Sequence, residues 1–531
     1  MRTLGYEEVR QGESVKKRPN FIVIHADQMR WDCLGANGMR KGVYTPNIDS
    51  IGFQGATFSS SYATCPLCIP QRLSLLTGQT TQKLGIFANI GIPYIPLETT
   101  LPTEMRKGGY QTALIGRTMH TYPFRCSYGF EYYLPGDPSS EDKNTSDPFF
   151  SYIRQNTDAG DGGYYGSGIL NNSRSAAPFH LEDRFHQTKW ATSRAIDFLE
   201  NRDPSRPYML FVGYYAPHSP HNPPFGYFNR YYMRDDLDDP SIADYDVPPF
   251  NNSHIMSNHV NLKGEELRAL RAGYYGNIAF MDAQIGRLLE KAAFSRDTYV
   301  IFTSDHGDML GDHYLLQKNR PYEGAVHLPF VIMGPGIRDS QVIDSPVGWQ
   351  DLMPTILDLA SLEVPASCDG KSLKPLLDGK KDRVRDYMHG ECVHDFRLGS
   401  SKRTASGKND LYYEKGSQYL TDGRMKYIWY CTTGAEQLFD LKNDPHELND
   451  LSGKEEWKEE KNRWRSLLVK ELENRKEGYV DGGNLKEGVT PASLGEYMSA
   501  LLETRRKEGC RIAYYPGEKG RDIGYENRLM N

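Results

Sequence analysis

The 531-residue chain reads as an α/β protein: a doubly wound, mainly parallel sheet flanked by helices, followed by a smaller carboxyl-terminal α+β domain with an antiparallel sheet. Three observations predict this. First, short apolar runs at 21–26 and 299–303 lead directly into Asp27-Gln28 and Ser304-Asp305-His306-Gly307, the pattern of strands buried on both faces of a parallel sheet. Second, stretches of helical period lie between such runs, notably 186–200 and 264–293, the latter carrying Ile278, Met281, Ile285, Leu288 and Leu289 at helical spacing. Third, the pattern changes around Asp382 to short antiparallel-type runs at 419–422, 425–431 and 437–441, then to a charged amphipathic helix over 455–473.

Further strands are predicted at 111–115, 208–213 and 330–333. These readings divide the chain into a main domain over 1–382 and a smaller domain with its tail over 383–531; the tail from 478 is irregular apart from a helix near 491–507. Ligands of doubly wound sheets bind beyond the carboxyl ends of the strands. Asp27, Asp305 and His306 fall there.

Composition narrows the function classes. With 38% hydrophobic and 25% charged residues the chain is ordinary globular protein, and a net charge of −6 argues against a nucleic-acid partner. Eight cysteines scattered from Cys33 to Cys510 form no disulfide framework, which favours a reducing compartment. Residues 1–20 are charged and lack the apolar run of a secretory signal, and no segment is apolar enough to span a membrane. The expectation is a cytoplasmic protein with no membrane partner, unless a leader has been removed. The oligomeric state is left open.

The most informative segment is Cys68-Ile69-Pro70-Gln71-Arg72 followed by Leu76-Thr77-Gly78. Pro70 suits the first turn of a helix running through Arg72, Leu73, Leu75 and Leu76 and stopping at Gly78. Cys68 then sits at the amino end, where unpaired N–H groups and the helix dipole favour an anion, and Arg72 adds a fork of donors. Two plainer readings compete: Cys65 and Cys68 also form a C-x-x-C, and a cysteine near a helix start can be a small buried hydrophobe. No second C-x-x-C follows to complete a zinc site.

C-x-P-x-R ahead of L-T-G resembles the modification signature of type I sulfatases. In that family the cysteine is oxidised to formylglycine, whose hydrate carries a geminal diol. The resemblance extends in order over about residues 20 to 450: Asp27-Gln28, the Cys68 motif, Gly109-Tyr110-Gln111-Thr112-Ala113, Ala216-Pro217-His218, Thr303-Ser304-Asp305-His306-Gly307-Asp308, Lys318 with Tyr322-Glu323, and Leu438-Phe439-Asp440-Leu441 with Asp444-Pro445. It implies the fold of the alkaline phosphatase superfamily. By the same resemblance Cys68 is the formylglycine precursor, and Asp27, Asp305, His306 and Cys68, with Gln28 as a neutral oxygen donor, are metal ligands. Arg72 supports the hydrate, Lys318 grips the sulfate and faces the leaving oxygen, His218 contacts the ester, and Asn89 resembles an asparagine near the metal of phosphonate monoester hydrolases. Oxygen donors with one imidazole suit calcium first, with manganese or magnesium as alternatives.

Three departures stand out. Many sulfatases have Asp-Asp where this chain has Asp27-Gln28, and Ser where it has Gln71. The usual Gly-Lys-x-His appears as Gly116-Arg117-Thr118-Met119-His120, so either Arg117 replaces the lysine or His120 keeps the histidine; both are retained, with His120 preferred. His221, Asn222, Tyr164 and Tyr165 are expected in loops lining the substrate pocket.

The implied reaction is hydrolysis of a small-molecule or carbohydrate sulfate ester. One hydroxyl of the hydrate attacks sulfur, the alcohol leaves, and loss of the second hydroxyl proton expels sulfate. A formylglycine-generating maturation enzyme is the implied partner. The alternatives are a phosphonate monoester or phosphodiester hydrolase and a non-catalytic protein that binds sulfated ligands.

Overall fold

The computed structural model describes residues 18–37, 42–87, 89, 99–119, 127–138, 147–157, 163–164, 166–169, 171–249, 257–292, 297–393, 411, 414–489 and 491. Eight strands form the main sheet: β1 (Asn20–Asp27), β2 (Gly55–Phe58), β3 (Gln111–Gly116), β4 (Tyr132–Pro135), β5 (Tyr208–Pro217), β6 (Thr298–Ser304), β7 (Phe330–Met333) and β8 (Gln341–Ile343). Their order is β4-β3-β5-β1-β6-β7-β2-β8. All neighbours pair in parallel except β7, which runs antiparallel to β6 and β2.

β1 lies inside the sheet, and all eight of its residues are buried. Its alternating side chains feed two cores. Ile22 and Ile24 pack with Ile278, Met281, Ile285 and Leu288 of the long helix Gly264–Ala292. Phe21 and Val23 pack on the other face with Leu73, Leu75 and Leu76 of the helix Cys68–Thr77 and with Met353 and Ile356 of the helix Leu352–Leu359. A strand covered on both faces needs apolar residues at every position, which explains why β1 and β6 read as continuous runs.

The register brings three strand ends together. Ala26 pairs with Ser304, so Asp305 follows beside Asp27. On the other side the register slips after Ala26, Asp27 pairs with Pro217, and the His218 N–H donates to the Asp27 carbonyl at 3.1 Å.

The carboxyl-terminal sheet is antiparallel in the order β12-β11-β10-β9, formed by β9 (Met388–Val393), β10 (Gly416–Thr421), β11 (Met425–Tyr430) and β12 (Glu436–Asp440). One face carries Leu420, Tyr427, Trp429 and Leu438 against Trp464, Leu468 and Leu472 of the helix Lys458–Leu472. The other face packs Tyr419, Ile428, Tyr430 and Phe439 onto Tyr62, Met309, Tyr322 and Val326 of the main part. Segments near the strand ends of the main sheet therefore rest on the second sheet.

The expected α/β architecture and antiparallel carboxyl-terminal sheet are present. Short β2, β4, β8 and β9 were not anticipated, and the expected helix over 455–473 is a 3₁₀ turn (Glu455–Trp457) continuing into Lys458–Leu472. The helix expected near 491–507 lies outside the described residues but for Pro491. Among the described residues no helix is long and apolar enough to cross a membrane.

Candidate active site

The helix Cys68–Thr77 starts at the cysteine and is buried at every position. Pro70 lies in its first turn, where the missing N–H costs nothing. Gly78 ends it in the left-handed region at φ 64°, donating to the Ser74 carbonyl at 2.9 Å. Asn89 is exposed, and its Oδ1 accepts the N–H of Ile69 at 3.0 Å, which satisfies one of the helix's orphan donors. Cys65 is a separate matter: its thiol is unpaired and donates to the Phe87 carbonyl at 3.6 Å, and burial raises it well above the usual thiol range.

Cys68 meets the strand ends. The ligand atoms of Asp27, Cys68, Asp305 and His306 lie within 4.8 Å of one another, and all four residues are buried. Cys68 Sγ is 3.1 Å from His306 Nε2 and 3.9 Å from Asp27 Oδ1. His306 Nε2 is 3.8 Å from Asp27 Oδ1 and 3.7 Å from Asp305 Oδ1. Burial and Asp27 resist ionisation of Cys68, yet Lys318 and His306 carry its thiol well below the usual range. In the formylglycine that the motif's resemblance implies, oxygens would take the place of Sγ.

Two guanidinium groups hold the carboxylates. Arg72 donates from Nε and Nη2 to Asp305 Oδ2 at 3.1 and 2.8 Å, from Nη2 to Asp27 Oδ2 at 2.8 Å, and from Nη1 to the Thr118 carbonyl. These donors serve the acids behind Cys68, where the sequence suggested a fork offered to a bound anion. Arg117 donates from Nε to Asp27 Oδ2 at 2.7 Å and from Nη1 to Asp137. Burial works against charge on Asp27, but Arg117 and Arg72 hold its carboxyl well below the usual range. Asp305 is likewise lowered against burial and its neighbour Asp27, by His306 and Arg72.

The third side of the site is polar. Lys318, half-buried, donates from Nζ to Gln28 Oε1 at 2.5 Å, and Gln28 Nε2 donates to Asp308 Oδ2. The Gln28 side chain is thus engaged by Lys318 and Asp308. His218 packs against Tyr215, with ring centroids 4.9 Å apart, and its Nδ1–H donates to the Ser219 carbonyl at 2.7 Å. Burial, aided by Lys318 and Arg117, keeps His218 well below the usual imidazole range, so its Nε2 carries a lone pair.

Other expectations fare differently. His221 and Asn222 are buried and do not hydrogen-bond to the four clustered residues; burial lowers His221 to about 4. Tyr164 lies in an aromatic core cluster 5.3 Å from Phe149, 6.2 Å from Phe150 and 5.5 Å from Phe179, which corrects its reading as a pocket residue: a ring enclosed by three aromatics gains more from burial than from solvent. His120 and Tyr165 lie outside the described residues. Asp137 and Asp308 received no role from the sequence. Asp308 stands in a segment that carried the resemblance, whereas Asp137 has no local signal and acquires its partner through folding alone.

The donor set fits a divalent cation. Both carboxyls are held below their usual range, and the His306 Nδ1–H donates to the Gly307 carbonyl at 3.0 Å, which points the Nε2 lone pair into the cluster. Against burial, Asp305 and Cys68 raise His306 above its usual range: the cluster attracts positive charge, and a cation would take the place of that proton.

Comparison with known proteins agrees with this geometry. The sulfatase family profile matches residues 19–362, and the profile of the N-sulphoglucosamine sulphohydrolase carboxyl-terminal region matches residues 311–476. An arylsulfatase of Clostridium perfringens is 35% identical over 505 residues, covering 90% of this chain and 99% of the relative. The multifunctional alkaline phosphatase superfamily protein PehA of Trinickia caryophylli is 28% identical, covering 82% of this chain and 91% of its own. Among solved structures, the phosphonate monoester hydrolase of Agrobacterium radiobacter superposes with a TM-score of 0.70 at 25% identity, covering 85% of this chain and 95% of that one. With Cys68 of the modification motif seated among Asp27, Asp305 and His306, the chain belongs to the sulfatase family of the alkaline phosphatase superfamily and is a hydrolase that acts through a cysteine-derived formylglycine and a metal site.

Proposed function

We propose that this hydrolase releases inorganic sulfate from an organic sulfate monoester, of a small molecule or a carbohydrate, bound over the amino end of the helix Cys68–Thr77. The observation that carries this reading is the convergence of Cys68 with two buried carboxylates and an oriented imidazole. Asp27, Asp305, His306 and the converted Cys68 side chain hold one divalent cation, calcium first, which supplies Lewis acidity toward the ester oxygens. The converted side chain supplies two hydroxyls, one for attack and one whose proton loss drives release. Arg72 and Arg117 fix the acids in place. Lys318 faces the leaving oxygen and offsets its developing charge, and neutral His218 accepts or returns a proton through Nε2.

The 35% identical relative named an arylsulfatase supports an aryl sulfate as the first assay substrate. A relative named N-acetylglucosamine-6-O-sulfatase, 25% identical, supports carbohydrate sulfates beside it. Cys65, Cys68, Cys368, Cys392 and Cys431 form no disulfide, which supports a reducing, cytoplasmic setting in which a formylglycine-generating enzyme matures the chain.

Phosphonate monoester or phosphodiester hydrolysis is the second reading. Gln28, where many sulfatases carry a second acid, and the likeness to a phosphonate monoester hydrolase favour it. Sulfate monoesters, phosphonate monoesters and phosphodiesters all present one negative charge, so the charge of the site does not separate them. The test is kcat/KM for p-nitrophenyl sulfate and for p-nitrophenyl phenylphosphonate, using protein whose Cys68 peptide has the aldehyde mass. A higher value for the phosphonate would overturn the primary reading. Metal analysis of chelator-stripped protein reloaded with calcium, manganese or magnesium assigns the cation, and His306→Ala should lower bound metal and turnover together.

A further inference from the structure

Lys318 sits between two residues in the left-handed region, Gln317 at φ 62° and Asn319 at φ 65°. Neither is glycine, so each costs energy that surrounding contacts must offset. Asn319 is held by its N–H to the Pro66 carbonyl at 3.2 Å and by Nδ2 to the Val393 carbonyl at 2.8 Å, while Gln317 is held by Asp308. Asp308 Oδ1 accepts the N–H of Leu310 and the N–H of Gln317, both at 2.8 Å, closing the loop that delivers Lys318. Its Oδ2 accepts Gln28 Nε2, and Gln28 Oε1 accepts Lys318 Nζ at 2.5 Å. Gln28 is itself fixed at φ 75°, with its N–H donating to Asp305 Oδ1 at 3.1 Å and its carbonyl accepting Tyr274 Oη at 2.6 Å.

We propose that Asp308 is a positioning residue for Lys318, acting through the closed loop and through the Gln28 amide, which has become a polarity relay between a carboxylate and an ammonium. The relay has one sense only. A carboxylate accepts and an ammonium donates, so the amide must present its NH2 to Asp308 and its oxygen to Lys318. The argument rests on the proposed role of Lys318 for its catalytic consequence, but the positioning itself is a geometric statement.

The relay predicts a double-mutant pattern. Asp308→Asn keeps a carbonyl oxygen for the two loop N–H groups but turns an NH2 toward Gln28. Donor then faces donor, the Gln28 amide flips, and its NH2 meets the lysine. Gln28→Glu alone sets a carboxylate against Asp308. Combined, the two substitutions restore the sequence of donor and acceptor: the new amide at 308 donates to the new carboxylate at 28, which accepts from Lys318, and the total charge of the three groups is unchanged.

The experiment compares both single variants, the double variant and Lys318→Ala on aryl sulfates of good and poor leaving groups, with thermal unfolding and crystal structures of each. Each single variant should lose roughly 10- to 100-fold in kcat on the poor leaving group and less on the good one, as a displaced group near the chemistry does. The double variant should recover to within a few-fold of wild type, a coupling that generic destabilisation would not give. Additive losses in the double variant, or an unmoved Lys318 in the Asp308→Asn crystal structure, would overturn the relay. If Lys318 moves while Lys318→Ala keeps wild-type rates, the relay stands and the leaving-group role of Lys318 fails.

Discussion

Arg117 donates from Nε to Asp27 Oδ2 at 2.7 Å, and its guanidinium carbon lies 4.4 Å from the centroid of the Tyr215 ring. Its other end meets Asp137, so one buried arginine spans two buried carboxylates. Arg117 therefore belongs to the site by geometry, whatever His120 contributes.

Arg117→Met should test the span. It keeps much of the apolar stem but withdraws the guanidinium from both Asp27 and Asp137, and breaking a buried pair from one side costs about 3–5 kcal/mol. Denaturant unfolding should show a loss of that order, and Arg117→Met with Asp137→Asn should recover part of it because the buried charge at position 137 is then removed. No recovery in the double variant would show that the loss comes from Asp27 or from packing on Tyr215.

Acid sensitivity has a source remote from the metal cluster. His186 caps the helix Gln187–Asn201 through Nδ1, 3.3 Å from the Thr188 N–H, and its ring stands edge-on to Phe179 and Phe280, each at 5.1 Å. Burial lowers it to about 3. The unfolded chain protonates this residue near 6.5 and the folded chain does not, so its contribution is fully present above about pH 6.5 and is lost as the pH falls toward 3. One such group contributes at most about 1.4 kcal/mol per pH unit to the slope. His186→Asn preserves a capping acceptor and removes the titration. The difference in unfolding free energy between variant and wild type should shift in the variant's favour as the pH falls from 6.5; a pH-independent difference would remove His186 from the account.

The parts of this architecture visible in the sequence are those where one local pattern has one physical cause. β1 and β6 are covered on both faces and so must be apolar throughout, and the helix Cys68–Thr77 is bounded by Pro70 and a left-handed Gly78. β2, β4 and β8 have four residues or fewer, too short for a period to register, and they are held by pairing partners far along the chain. The same division applies in the site. Cys68, Asp27, Asp305 and His306 stand at strand and helix ends where ligands are expected, whereas Asp137 gains its meaning from Arg117, twenty residues away. The donors of Arg72 could be counted from sequence, but their direction depends on two strands meeting behind the helix.

The sharpest prediction concerns Cys68, the residue on which the chemistry depends. Cys68→Ser retains size and polarity and presents one hydroxyl in the place of Sγ, 3.1 Å from His306 Nε2 in the unmodified chain. Where the host does not oxidise serine, that hydroxyl can still attack the ester under the same electrostatic field. The product is then an ordinary covalent sulfate ester, with no second hydroxyl on the same carbon to expel sulfate. Cys68→Ser should therefore give at most one equivalent of released alcohol and a mass gain on the peptide containing position 68, while Cys68→Ala should give neither. Sustained turnover by Cys68→Ser, with the introduced serine verified as unmodified, would refute release through a geminal diol. A mass gain with p-nitrophenyl phenylphosphonate but with no sulfate ester would instead move the protein to the phosphonate reading, since the trapped adduct reports which ester the site activates.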